Sequence, residues 1–210
     1  MSDLQTPNRD QHLTHARLLS IVTIAWNVTE GAIAITAGLI AHSGALTGFG
    51  LDSGIESISA GVLLWRIQVE RNQPHRAEHV ERTATRLIGV SFLLLAAYVA
   101  YDAITSLATR DEPETSIIGI ALTAVSLIVM PVLAHRKRRV ASQLDSHAAQ
   151  ADSAQTMVCF WLSAVVLAGL ALNATLGWWW ADPIAALVVV AFLIIEGRQA
   201  ITADKLDDCC

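Results

Sequence analysis

The chain has 210 residues, of which 53% are hydrophobic and 16% charged, with a mean hydropathy of +0.48. That composition excludes an ordinary soluble domain, and the charges fall in blocks between long apolar runs, as in a polytopic membrane protein. The net charge of −5 says little beside how the charges are distributed, and no stretch is basic and aromatic enough to suggest nucleic-acid binding.

Residues 1–16 are polar and lack the positive-then-apolar order of a secretory signal, so they read as a cytoplasmic N-terminal segment. Six apolar runs follow, each near the ~20 residues needed to cross a ~30 Å hydrocarbon core. They lie at 18–41, 45–66, 87–108, 115–135, 148–173 and 181–198. The first contains Asn27 and Glu30, three residues apart and so on one helix face. Two readings stand for that pair: a proton or cation path beside the second helix, or interhelical hydrogen bonding at a close crossing made by Gly31 and Gly38. The second run holds Asp52 and Glu56, four apart and stacked on one face among Ser53, Gly54, Ser57, Ser59 and Gly61. Carboxylates in hydrocarbon are expensive, which implies a function and a partner for the charge.

The third run contains Tyr98, Tyr101 and Asp102, and Asp102, near the outer end of its span, reads as interfacial rather than as a ligand. Pro113 breaks the chain before the fourth run, which ends at Arg136-Lys137-Arg138-Arg139. In the fifth, Asp152, Gln155, Thr156 and Cys159 fall at i, i+3, i+4 and i+7, one helical stripe, and Asp145 continues it two turns earlier. Cys159 reads first as a small apolar filler. His147 is about 140° away from Asp152 on an ideal helix and reads as a helix-end residue. Asp152 reaches the depth of Asp52 and Glu56 only if the fifth helix begins well before Ala148, near Val140. Trp178, Trp179 and Trp180 fit an interfacial belt, and Asp182-Pro183 starts the sixth helix. Residues 199–210 read as a short cytoplasmic tail ending in Cys209 and Cys210. The three cysteines form no disulfide framework and are expected as free thiols.

Arginine and lysine set the orientation. Arg66, Arg71, Arg76, Arg82 and Arg86 follow the second run, Arg136 to Arg139 follow the fourth, and Arg110 alone lies on the opposite side. The positive-inside rule places both termini and the two basic loops in the cytoplasm, which agrees with six spans. The expectation is an all-α bundle of six transmembrane helices over 17–198, multi-pass in a bacterial-type cytoplasmic (inner) membrane, in contact with lipid.

Asp52, Glu56 and Asp152 together form a candidate metal site. Three carboxylates in low dielectric do not all stay ionised unless a cation joins them, and without it they take up protons. One site therefore holds a divalent cation or protons, and alternating exposure of it gives exchange. Carboxylate oxygens suit hard cations such as Mn²⁺; zinc prefers nitrogen or sulfur yet accepts oxygen. No Ser/His/Asp or Cys/His set falls on compatible faces and no phosphate loop is present, so neither an enzyme nor a prosthetic group is expected.

These residues resemble the cation diffusion facilitators. Leu51-Asp52-Ser53-x-x-Glu56 looks like the family's metal motif in helix two, and Ala151-Asp152-Ser-Ala-Gln155-Thr156 like its second half-site in helix five. Trp180-Ala-Asp182-Pro183 is similar to its helix-six signature. The resemblance implies a proton-coupled exporter, usually a homodimer, with Zn²⁺ ahead of Mn²⁺, Co²⁺, Cd²⁺ or Fe²⁺. The chain departs from the family at Glu56, where Asp is usual, and at Ala148, where His or Asp is usual. Gln155, His147 on a bent helix, or water are the candidate replacements, with Asn27, Glu30 and Cys159 as further donors. The cytoplasmic metal-binding domain usual after helix six is not found, which matches the family's short branch. Cys209 and Cys210 are candidates for capturing soft metal. The alternative to an exporter is a membrane protein that sequesters or senses zinc without coupled transport.

Overall fold

Runs rich in Ala, Leu and Ile, broken by Gly, Pro and Asp, fold as six helices in the computed structural model, which describes residues 7–41, 44–73, 76–110 and 116–206. They are α1 (Pro7–Ile40), α2 (Gly44–Asn72), α3 (Ala77–Thr109), α4 (Ile117–Leu144), α5 (His147–Leu176) and α6 (Ala181–Leu206). No strand occurs among the described residues, so the fold is all-α as expected. α1, α3, α4 and α5 are long and apolar enough to cross a membrane. α2 is diluted by Asp52, Glu56 and several Gly and Ser residues, and the apolar stretch of α6 over 184–195 is short of the ~20 residues a span needs. Large apolar side chains such as Leu39, Leu94, Ile128 and Phe192 point outward, as a bundle solvated by lipid requires.

The helices pair as α1 with α2, α3 with α6 and α4 with α5; α2 and α5 meet in the middle, and both also touch α3. Two crossings are set by glycine. A Cβ on Gly50 would lie 3.0 Å from the Gly31 carbonyl oxygen, and one on Gly89 3.0 Å from that of Gly197, so α1–α2 and α3–α6 approach at backbone distance. The expected crossing at Gly31 and Gly38 is therefore present. Trp178 and Trp180 stack with ring centroids 5.4 Å apart just before α6.

The helices run well past the expected spans at the basic end. Of the expected loop, Arg66 and Arg71 lie inside α2, which runs to Asn72, Arg82 and Arg86 lie inside α3, which begins at Ala77, and Arg136 to Arg139 lie inside α4. Arg, Lys, Gln and Glu are good helix formers, so a stop-transfer charge run does not end a helix. Ion pairs fix these extensions to one another. Arg9 pairs with Glu70 at 2.7 Å, Arg66 pairs with Glu70 at 2.5 Å, and Arg66 also pairs with Glu81.

α5 does not begin near Val140. α4 continues to Leu144, and Asp145 ends it in the left-handed region at φ 49°. Asp145 therefore leaves the α5 stripe. Ser146 caps α5 by accepting from the Ala149 N–H at 3.1 Å, and its own hydroxyl donates to Glu81 at 2.8 Å. Glu81 also accepts from the Ala148 N–H at 2.8 Å, placing a carboxylate at the helix N-terminus, where the macrodipole favours it.

Candidate metal centre

α2 and α5 run side by side, and the carboxylate-bearing face of each turns into the bundle. Asp52, Glu56, Asp152, Gln155, Thr156 and Cys159 are all 0% exposed. The i, i+4 spacing on α2 and the i, i+4, i+7 spacing on α5 build two facing ladders. Asp152 forms the lowest rung, nearest the basic end. Glu56 opposes Thr156 on the next, the Thr156 hydroxyl donating to Glu56 Oε1 at 2.5 Å. Asp52 opposes the Cys159 thiol above that.

The lowest rung also holds Lys137, a member of the basic block expected to follow the fourth span. Lys137 Nζ lies 2.9 Å from Asp152 Oδ2 and 3.7 Å from Glu56 Oε1, and donates to Thr156 Oγ1 at 2.8 Å. Its side chain is buried although Arg136, Arg138 and Arg139 beside it are exposed. The signal was present in the spacing. Buried Ser126, Met130, Leu133, Ala134, Lys137, Ala141 and Leu144 recur at helical intervals, so the inner stripe of α4 runs straight through the basic block. A buried ammonium between two carboxylates compensates their charge from within the chain.

The predicted residues separate into three groups. Asp52, Glu56 and Asp152 share one buried column. Glu30 faces it from α1, with Asn27 buried one turn earlier on the same helix: Ser53, next to Asp52, donates to Glu30 Oε2 at 3.0 Å, and Glu30 lies within electrostatic reach of both Asp52 and Glu56. Gln155 is engaged elsewhere. Its Oε1 accepts from Ser59 at 2.5 Å and from Ser91 at 3.3 Å, bridging α2, α3 and α5. His147 is exposed as the first residue of α5 and is not brought to the column, because the helix begins there without a bend that would turn it inward. Cys209 and Cys210 lie outside the described residues.

Ala148 is buried one turn before Asp152 and offers no donor. Among the described residues, no group of three or more His, Cys, Asp and Glu side chains converges tightly enough to hold a metal ion as it stands. The rungs are staggered along the helices, and Lys137 fills the lowest. The column is nonetheless short of partners. Asp52 has only the weakly donating Cys159 thiol facing it, and Oε2 of Glu56 makes no hydrogen bond. Buried polar atoms are paired in nearly all native structures, so these oxygens mark where a cation or protons would be accepted. A small cavity lined by Leu19, Ser20, Leu63, Lys137 and Asp152 lies beside the lowest rung and gives it room on the basic side.

Residues 20–204 match the cation efflux transmembrane domain. The chain is 29% identical over 180 residues to an uncharacterized transporter, sll1263, of Synechocystis, covering 83% of this chain and 58% of that protein. It is also 29% identical over 140 residues to transmembrane protein 163 of Xenopus laevis, covering 67% of this chain and 49% of that one. The chain thus spans about half the length of these two relatives.

Proposed function

The chain belongs to the cation efflux family, and on that premise we propose that it exports a divalent metal cation in exchange for protons, Zn²⁺ ahead of Mn²⁺, working as a homodimer. The observation that carries this reading is the buried column of Asp52, Glu56 and Asp152 with its unpartnered oxygens. A cation entering from the cavity beside Leu19 and Ser20 meets Asp152 first. To bind there it displaces the Lys137 ammonium, whose long flexible stem allows it to swing toward the basic end. Glu56 and Asp52 then offer oxygens at successive rungs, about 6 Å apart along the helix. When the metal leaves, Lys137 returns to the lowest rung and protons satisfy the rest, because carboxylates in low dielectric bind protons when no cation is near.

The test is Zn²⁺ and Mn²⁺ uptake into inside-out vesicles under an imposed pH gradient, for the wild type and Asp52→Asn. Gradient-driven uptake that disappears in the variant is the expected result. Metal binding by calorimetry with no flux of either metal would instead support sequestration or sensing, a reading favoured by the missing donor at Ala148.

A further inference from the structure

A second cluster of buried polar side chains lies on the α1 side of the column. Ser20, Thr23, Asn27 and Glu30 recur at helical spacing on the inner face of α1, and none is more than 1% exposed. The lowest of them, Ser20, lines the cavity beside Lys137 and Asp152. Across from Glu30 stands Ser126 of α4, 0% exposed. Ser126 lies within hydrogen-bonding reach of Glu30, whereas Thr23 Oγ1 and both Asn27 side-chain polar atoms have no hydrogen-bond partner.

The two hydroxyls are unusual within this protein. Thr29 and Thr36 of the same helix each donate to the carbonyl four residues back, as do Thr105, Thr175 and Thr202 elsewhere. Such back-bonding is the ordinary fate of a helical hydroxyl. Thr23 and Ser126 do not use it, although they are fully buried: Ser126 faces Glu30 instead, and Thr23 keeps its hydroxyl unpaired in the interior.

The charges point the same way. Lys137 balances Asp152 and Glu56. Among the described residues, Asp52 and Glu30 have no cationic partner, and they lie close enough to interact electrostatically. Two uncompensated carboxylates, a carboxamide and hydroxyls make an all-oxygen donor set of the kind hard divalent cations take.

We infer that Glu30, Asn27 and Ser126, with Asp52 as the shared carboxylate, form a second station for a hard divalent cation, one that is filled without moving Lys137. A cation passing up the column from Asp152 reaches this station through Asp52, and the donors of α1 replace water shed on the way. The station rests on the transport reading only for its place on a path; its binding of metal is independent of flux.

The experiment is Mn²⁺ titration of the detergent-purified full chain, followed by electron paramagnetic resonance and calorimetry, for wild type, Glu30→Gln, Asn27→Asp and Asp152→Asn. The wild type is expected to bind Mn²⁺ in two classes. Glu30→Gln should weaken one class at least tenfold and leave the other, and Asp152→Asn should do the reverse. Asn27→Asp should tighten the Glu30-dependent class about tenfold, a gain that a purely structural role does not produce. A single class untouched by Glu30→Gln would overturn the station while leaving the transport reading intact. Flux lost everywhere with the Glu30-dependent class retained would sink the transport reading and leave the station standing.

Discussion

Replacing Lys137 by methionine is the most informative single change. The side chain keeps its length and loses its charge. At 2.9 Å from Asp152 and 3.7 Å from Glu56, each attraction is about 5 kcal/mol at an effective dielectric of 20. Burying the ammonium offsets several kcal/mol of the total, and buried pairs broken at one partner cost roughly 3–5 kcal/mol. Two opposite effects follow. Metal-free Lys137→Met loses about 3 kcal/mol of stability, softened where the carboxylates take up protons. Metal no longer has to displace the ammonium, so apparent affinity at the lowest rung rises by the same energy, on the order of a hundredfold. Calorimetric Zn²⁺ and Mn²⁺ titrations of the purified variant, with thermal melts before and after metal, read both effects. An unchanged or weaker affinity in Lys137→Met, with its helical circular dichroism retained, would refute the idea that the ammonium occupies a cation's place. Lys137 would then be a strut holding α4 against α5.

Two smaller changes test the surroundings. Thr156→Val removes the hydroxyl that donates to Glu56 and accepts from Lys137; a hydrogen bond to a charged group contributes about 1.5–3 kcal/mol, so the metal-free protein should lose stability of that order, read as a lowered Tm in the same melts, and an unchanged Tm would mean the hydroxyl is no part of the column. Glu81→Gln takes the charge from the point where Arg66, Ser146 and the Ala148 N–H converge. A loss of about 2 kcal/mol is expected for this part-buried group, read as a drop of about 4–8 °C in Tm; an unaltered melt would mean that the network contributes nothing to holding α5 in place.

Much of this protein was written locally. Hydrophobic runs broken by Gly, Pro and Asp determined six helices, because a chain in lipid satisfies its backbone groups only within the helix itself. The i, i+4 spacing of Asp52 and Glu56 determined that they share a face. The stripe Asp152-Gln155-Thr156-Cys159 predicted a buried face on α5, and all four residues are fully buried. Helix ends were less legible. Arg66 and Arg136–Arg139 looked like loop residues, yet helices continue through them, since helix ends follow capping geometry at Ser146 and Asp145 rather than charge.

What the sequence could not decide is which faces meet. Gln155 shares a stripe with Asp152, yet it turns toward Ser59 and Ser91 because α3 packs on that side. His147 sits next to the vacant donor position at Ala148 and still faces outward. Lys137 lies among three exposed arginines and points inward, against Asp152 on a different helix. Periodicity fixes which residues lie together on one helix; the rotation of that helix against its neighbours is set by packing summed over its whole length, such as the backbone-distance crossings at Gly31–Gly50 and Gly89–Gly197. The two carboxylate-bearing faces were therefore legible in local spacing, and their meeting, with the ammonium that closes the column, was decided only by the assembled bundle.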